Sequence, residues 1–282
     1  MLADKTIGVL GAGNMGEALI AGLVKASLVR PEQILASRRS EVALAWLRDQ
    51  YGVRTTLDNR ELVAASDLVV LAVKPQVMPS VLEETADRFR TGQVVISIAA
   101  GITTAMLESY VRNDIPVVRV MPNTPALVGE AVSPYCLGRH GSTDQALLAS
   151  QIFSAVGMTV QIDEDLMDAV TALSGTGPAY LFYLLEGLID AGVAMGLPEY
   201  VSRALVRQTA YGAAKLVVET PRSPRQLRAQ VTSPQGTTHA AMTHLDREEF
   251  LATLRDAVFK ARDRARELGL ANKARGEDAP GG

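Results

Sequence analysis

Three glycines carry the first chemical signal. Gly11, Gly13 and Gly16 stand in GAGNMG at the spacing G-x-G-x-x-G, which binds a dinucleotide pyrophosphate when a strand precedes it and a helix follows. Both neighbours are predicted here. Ile7, Val9 and Leu10 form a short apolar run suited to a buried parallel strand. After Asn14, a good N-cap residue, Met15, Ala18, Leu19, Ala21 and Leu23 recur at helical spacing. In that setting Gly11 permits the tight turn, Gly13 lets the backbone touch the pyrophosphate, and Gly16 brings helix and strand close. The helix N-terminus offers the phosphates free N–H groups and a partial positive charge.

A second signal lies at the end of the next apolar run, Ile34-Leu35-Ala36, which stops at Ser37-Arg38-Arg39. In a dinucleotide fold this strand end meets the adenosine ribose. An acidic residue there suits the 2′-hydroxyl of NADH, and arginine suits the 2′-phosphate of NADPH. No acid is present, so NADPH is the expected preference, with NADH possible. Further along, strand-like runs end in AVKPQ, AAG and MPNTP. Ligands of open parallel sheets sit beyond such strand ends, which makes these tails candidate cofactor walls. Two later stretches also offer ligand contacts. Ser174-Gly175-Thr176-Gly177-Pro178 opens a helix, with proline suited to its first turn. Residues 231–239, VTSPQGTTH, read as a turn in which Thr237 or Thr238 caps the following helix, and whose amides can hold a carboxylate.

The elements that must position these residues fall into two halves. Up to about residue 163, buried strands alternate with helical segments, which implies a doubly wound, mostly parallel sheet. Runs at 132–137 and 159–162, with a helix between them, extend it at one edge. Beyond 163 the strands stop and broad apolar helical faces take over, including Leu181, Leu184, Leu185, Leu188 and Ile189, then Val201, Leu205, Val206, Leu216 and Val217. Gly187, Gly192 and Gly196 interrupt one such helix and Gly212 another, which implies close helix–helix contacts. The expected domains are 1–163 and 164–270, with a disordered tail at 271–282. The helical half is too apolar to stand alone and is expected to bury its faces in a dimer.

Composition narrows the class. The chain has 282 residues, 48% of them hydrophobic, and a formal net charge of -3. That balance gives no reason to expect nucleic acid or an anionic membrane as partner. Cys136 is the only cysteine, so no internal disulfide forms and a reducing, cytoplasmic setting is expected. No segment reads as a signal peptide or membrane span, and no cluster has metal-ligand spacing.

GAGNMG, AVKPQ, MPNTP, SGTGPAY, DAGVAMGL and VTSPQGTT together resemble the pyrroline-5-carboxylate reductases, in that family's order and spacing, over nearly the whole chain to about residue 268. The resemblance implies reduction of the cyclic imine 1-pyrroline-5-carboxylate to L-proline by NAD(P)H, the last step of proline biosynthesis. It implies an α/β fold: an N-terminal Rossmann-type domain, then an all-helical dimerisation domain interlocked with a second copy. The homodimer can build larger rings, up to a decamer of dimers. By position, Gly11, Ala12, Gly13, Asn14, Met15 and Gly16 hold the pyrophosphate. Ser37 and Arg38, with Arg39 as a further candidate, lie near the adenosine 2′ position, and Asn59 near the ribose. Ala72, Val73, Lys74 and Pro75, with Met121, Pro122 and Asn123, line the nicotinamide end. Ser233, Pro234, Gln235, Gly236, Thr237 and Thr238 form the substrate loop, with Thr238 the catalytic residue that hydrogen-bonds the ring nitrogen. No histidine is needed, because the imine can bind already protonated. The chain departs from the family at Gln235, where a second glycine is usual; if that position requires a positive φ, glutamine is strained there.

Two other readings compete. A hydroxyacid or phosphogluconate-type dehydrogenase would use a lysine on a helix of the second domain, where only Lys215 is available, without the glycine-rich lead-in of that class. A non-catalytic NADPH sensor would share the fold but has no need of Thr238.

Overall fold

The structure is a computed structural model that describes residues 2–111 and 114–277. β1 (Ile7–Leu10) leads into α1 (Asn14–Lys25), and β2 (Ile34–Ser37) into α2 (Glu41–Tyr51). β3 (Arg54–Thr56), α3 (Asn59–Ala65), β4 (Leu68–Leu71) and α4 (Met78–Thr85) follow. Next come β5 (Val94–Ser97), α5 (Thr104–Tyr110), β6 (Val117–Val120) and β7 (Ala131–Leu137). α6 (Thr143–Phe153), β8 (Gly157–Gln161) and the short α7 (Met167–Val170) complete this part.

The eight strands form one sheet in the order β3-β2-β1-β4-β5-β6-β7-β8. All neighbours are parallel except β6 and β7, which run antiparallel. Chain order reverses at β1, between β2 and β4, so a ligand crevice belongs beyond the carboxyl ends of these strands. Strand alternation serves two cores. Ile7 and Val9 pack with Leu19, Ile20 and Leu23 of α1 on one face. Leu10, Val69 and Leu71 pack with Leu62, Leu82 and Leu107 of α3, α4 and α5 on the other. Asp67 ties β4 to β1 by accepting from the Thr6 amide at 3.0 Å and pairing with Arg90 at 3.0 Å. Burial opposes charge on Asp67, but those two donors outweigh it and hold the carboxyl below its usual range.

By compactness the chain divides into two units, and the change falls after Thr176. The first runs from the N-terminus through Thr176 and takes the chain again from Ala261; the second is Gly177–Lys260. Residues 164–176 stay with the sheet because polar contacts fasten them to it. Glu164 accepts from the Thr104 amide at 2.8 Å and from Arg119 Nη1 at 3.1 Å, and Met167 and Ala172 are fully buried.

The second unit contains α8 (Gly177–Ala194), α9 (Glu199–Glu219), α10 (Pro224–Gln230) and α11 (Thr237–Arg247), and the start of α12 (Phe250–Glu277). α12 shows that 271–277 are helical rather than disordered; the rest of that expected tail, 278–282, lies outside the described residues. Of the glycines read as helix interruptions, only Gly192 supports a close contact, since a Cβ there would fall 2.2 Å from Ser202 Oγ of α9. Gly187 lies within α8 and Gly212 within α9, both facing open space, while Gly196 sits past the end of α8 at φ +93. Large apolar side chains on these helices stay exposed, Tyr183 at 79% and Val218 at 83% among them. A helical pair with that much bare apolar surface is built to be covered.

Candidate active site

The glycine loop turns as its spacing requires. Gly11 adopts φ +85, and a Cβ there would meet Val73 Cγ1 at 2.4 Å. Gly16 lets α1 sit on the sheet, with Val9 Cγ1 only 3.1 Å from where a Cβ would stand. The helix cap differs from the expectation: Gly13, not Asn14, is the N-cap, and Asn14 is the first helical residue. This matters for ligand binding. The Gly11 and Ala12 amides are spent on the Ser37 carbonyl at 3.1 and 2.9 Å, and the Gly13 amide on the Gly11 carbonyl. The amides of Asn14, Met15 and Gly16 remain without an acceptor among the described residues. Three open N–H groups at a helix N-terminus, beside a Gly13 with no heavy atom nearer than 3.9 Å to its missing Cβ, form a cradle for a pyrophosphate.

The two Ser37 carbonyl bonds bring the end of β2 against this loop. Ser37 itself is buried, and Arg38 and Arg39 beyond it carry no ion pair among the described residues. Their guanidinium groups are thus available to a phosphate. Asn59, the first residue of α3, joins them by accepting from Ser37 Oγ at 2.8 Å. The wall after β4 starts where the Ala72 amide donates to the Leu10 carbonyl at 2.8 Å, which places Ala72 and Val73 beside the glycine turn. Lys74 is exposed, and Pro75 opens a single 3-10 turn.

The third wall, Met121, Pro122 and Asn123, is held from two sides. Asn123 is buried; its Nδ2 donates to the Ser174 carbonyl at 3.1 Å and its Oδ1 accepts from the Val132 amide at 3.1 Å. Its side chain fixes the wall. Gly175 rests on Met121, where a Cβ would come within 2.9 Å of Met121 Cε. The stretch that delivers Ser174 and Gly175 is a π-turn, Thr171–Gly175, closed by the Thr176 amide on the Thr171 carbonyl. No sequence signal announces it, though π-turns often sit at functional sites.

Ser233, Pro234, Gln235, Gly236, Thr237 and Thr238 lie in the second unit and are described by themselves. Gly236 is the N-cap of α11, and no side chain caps that helix. Thr237 and Thr238, expected as caps, are its first two residues instead. The amides of Thr237, Thr238 and His239 find no acceptor among the described residues, and the Thr238 hydroxyl has no partner there. Gln235 adopts φ 62, so the positive φ foreseen for a glycine position is real and a glutamine bears it. Lys215, the residue a dehydrogenase reading would require, pairs with Glu219 on α9 at 3.6 Å.

A curated protein from Methanosarcina acetivorans named pyrroline-5-carboxylate reductase is 42% identical over 95% of this chain and 99% of its own length. The chain belongs to the pyrroline-5-carboxylate reductase family. A profile described as pyrroline-5-carboxylate reductase dimerisation matches residues 164–268, and one described as NADP oxidoreductase, coenzyme F420-dependent, matches 6–101. The solved reductase of Coxiella burnetii superposes with a TM-score of 0.88 at 37% identity, covering 94% of this chain and 98% of that one. The Plasmodium falciparum reductase, solved with NADP bound, gives 0.85 at 33% identity over the same shares. The two profiles lie one after the other along the chain.

Proposed function

We propose that the protein reduces 1-pyrroline-5-carboxylate to L-proline with NADPH. The observation that carries this reading is the substrate loop: three unengaged amides at the start of α11 beside an unengaged Thr238 hydroxyl. A cyclic imino acid offers a carboxylate for the amides and a ring nitrogen for the hydroxyl.

On this reading the amides of Asn14, Met15 and Gly16 hold the pyrophosphate, Arg38 and Arg39 pair with the 2′-phosphate, and the walls at Ala72–Pro75 and Met121–Asn123 confine the nicotinamide. When bound, the nicotinamide supplies the hydride. The chain's part is to bind the imine through its carboxylate and to orient the C=N bond with Thr238. Effective concentration and alignment then do most of the work, because a protonated imine is already an electrophile. The helical unit is proposed to bury its apolar faces in a homodimer, from which a ring of dimers can grow. A cytoplasmic setting belongs to the same proposal, since a lone buried thiol suits a reducing compartment.

The test is loss of NADPH absorbance on addition of 1-pyrroline-5-carboxylate. Steady turnover is expected; binding of NADPH without turnover would favour a sensor.

A further inference from the structure

Three donors converge on the carboxylate of Glu164, just after β8. Arg119 Nη1 reaches Oε1 at 3.1 Å, the Thr104 amide reaches the same oxygen at 2.8 Å, and the Thr104 hydroxyl donates to the other oxygen. The Arg119 side chain, on β6, is only 5% exposed, and Glu164 is its one partner among the described residues. A guanidinium that deep needs a carboxylate, because a buried charge left unpaired is strongly unfavourable. Thr104 opens α5, a few residues past the β5 tail Ala99-Ala100-Gly101. One carboxylate thus ties the ends of β5 and β6 together.

The segment that Glu164 begins returns to β6 a second time. It runs through α7 into the π-turn, where the Ser174 carbonyl accepts from Asn123 Nδ2 at 3.1 Å. Between Arg119 and Asn123, Met121 meets Gly175. Residues 164–175 therefore bracket 119–123, gripping it at Arg119 and again at Asn123. Met167 and Ala172, fully buried, press the bracket onto the sheet. Apolar contact is non-directional, however, and does not fix position along a strand. Charge-assisted hydrogen bonds do, because distance and angle both count. Where the bracket begins decides where Ser174 and Gly175 arrive, and Glu164 is where it begins.

We propose that Glu164 is a positioning residue for hydride transfer: by pinning the bracket to Arg119 and Thr104, it sets where Met121 and Asn123 stand, and with them the nicotinamide ring. This rests on the reading of Met121–Asn123 as the nicotinamide wall. Glu164 acts through that wall and touches neither cofactor nor imine.

Two conservative variants separate geometry from charge. Glu164→Gln removes the charge but keeps the length: its amide oxygen can hold Arg119 and the Thr104 amide, and its NH2 can donate to the Thr104 hydroxyl. Glu164→Asp keeps the charge but is one methylene short, so it must drop a partner or drag the bracket. Each is assayed for kcat and KM by NADPH oxidation at a temperature where it is folded, and titrated calorimetrically with 2′,5′-ADP, which reports the adenosine end alone. A misplacement near 1 Å can cost about a hundredfold in rate. Glu164→Asp should therefore lose about tenfold to a hundredfold in kcat, with KM for the imine moving less than kcat and 2′,5′-ADP affinity within about twofold of wild type. Glu164→Gln should keep kcat within about threefold. Wild-type kcat in Glu164→Asp, even with a lower melting temperature, overturns the proposal and leaves Glu164 a merely structural tie. Equal losses in both variants also overturn it, since they would assign the effect to charge. A wild type that binds 2′,5′-ADP yet reduces no imine would sink the functional reading, and this proposal with it, before any variant is compared.

Discussion

Thr238→Ala separates a catalytic hydroxyl from a structural one. In many helices a threonine near the first turn is a cap whose loss costs about 1 kcal/mol. Here that role is vacant: Gly236 is the N-cap, no side chain caps α11, and Thr238 is the second helical residue with its hydroxyl unengaged. Alanine is the better helix former by up to about 0.7 kcal/mol, so the variant should melt no lower than the wild type. Its kinetics should move the other way. A hydrogen bond to a charged group is worth roughly 1.5–3 kcal/mol, which is about tenfold to a hundredfold in kcat/KM. The backbone amides proposed to hold the carboxylate stay in place. The assay pairs initial rates of NADPH oxidation at varied imine concentration with thermal melting and with NADPH titration of the resting enzyme. A variant with unaltered NADPH affinity and stability but a tenfold or greater loss in kcat/KM is expected. A kcat/KM within about threefold of wild type would refute the role of Thr238.

The remaining predictions address binding, the loop and pH. Arg38→Ala with Arg39→Ala should weaken NADPH by about tenfold or more while NADH changes little, since only NADPH offers a phosphate to pair; equal losses in two fluorescence titrations would remove the arginines from the 2′ site. Gln235→Gly should raise the melting temperature slightly, because relief of the left-handed strain, about 1–2 kcal/mol, exceeds the added freedom of the unfolded chain, about 0.5–1 kcal/mol; a lower melting temperature contradicts it. Asp67 is held below its ordinary range in the fold, so its contribution is complete above the unfolded value of about 3.9 and fades as pH falls through the lower folded value. Asp67→Asn should therefore flatten the acid limb of stability below about pH 4, read by denaturant titration across pH, and an unaltered limb would dismiss the Thr6–Asp67–Arg90 tie. Cys136 is buried, and burial together with the nearby Glu164 charge pushes its thiol up to about 12; native protein should resist alkylation at pH 8 and react fully once unfolded, whereas rapid native labelling would show the β6–β7 core open.

Much of the candidate site's backbone geometry was legible because its signals are local. The three glycines encode backbone geometry directly: a positive φ at Gly11 and close packing at Gly16 follow from the absence of a Cβ. The strand ends were legible because apolar runs stop where the sheet stops, and the structure closes β1, β2, β4, β5 and β6 within a residue or two of those runs. α3 was passed over even though Asp58 and Glu61 stand at a cap spacing, because seven residues carry too little periodicity. The identity of the α1 cap was a choice between adjacent residues that only the dihedrals decide. What sequence reasoning could not reach is long-range. Glu84 meets Asn59 through the packing of α4 on α3, and Glu164 fastens 164–176 to Thr104 and Arg119 across more than forty residues. A lone glutamate in a helix gives no sign of such a partner. The π-turn at Thr171–Gly175 is likewise tied to a distant residue, since Asn123 Nδ2 donates to the Ser174 carbonyl.

The central claim, that this chain moves a hydride onto a cyclic imine, is tested most directly by isotope. The protein is incubated with 1-pyrroline-5-carboxylate and NADPH carrying deuterium at the transferable nicotinamide position, and the product is analysed by mass spectrometry. The account predicts L-proline with a single deuterium on the former imine carbon. Failure to form proline, or proline formed without the label, would contradict it.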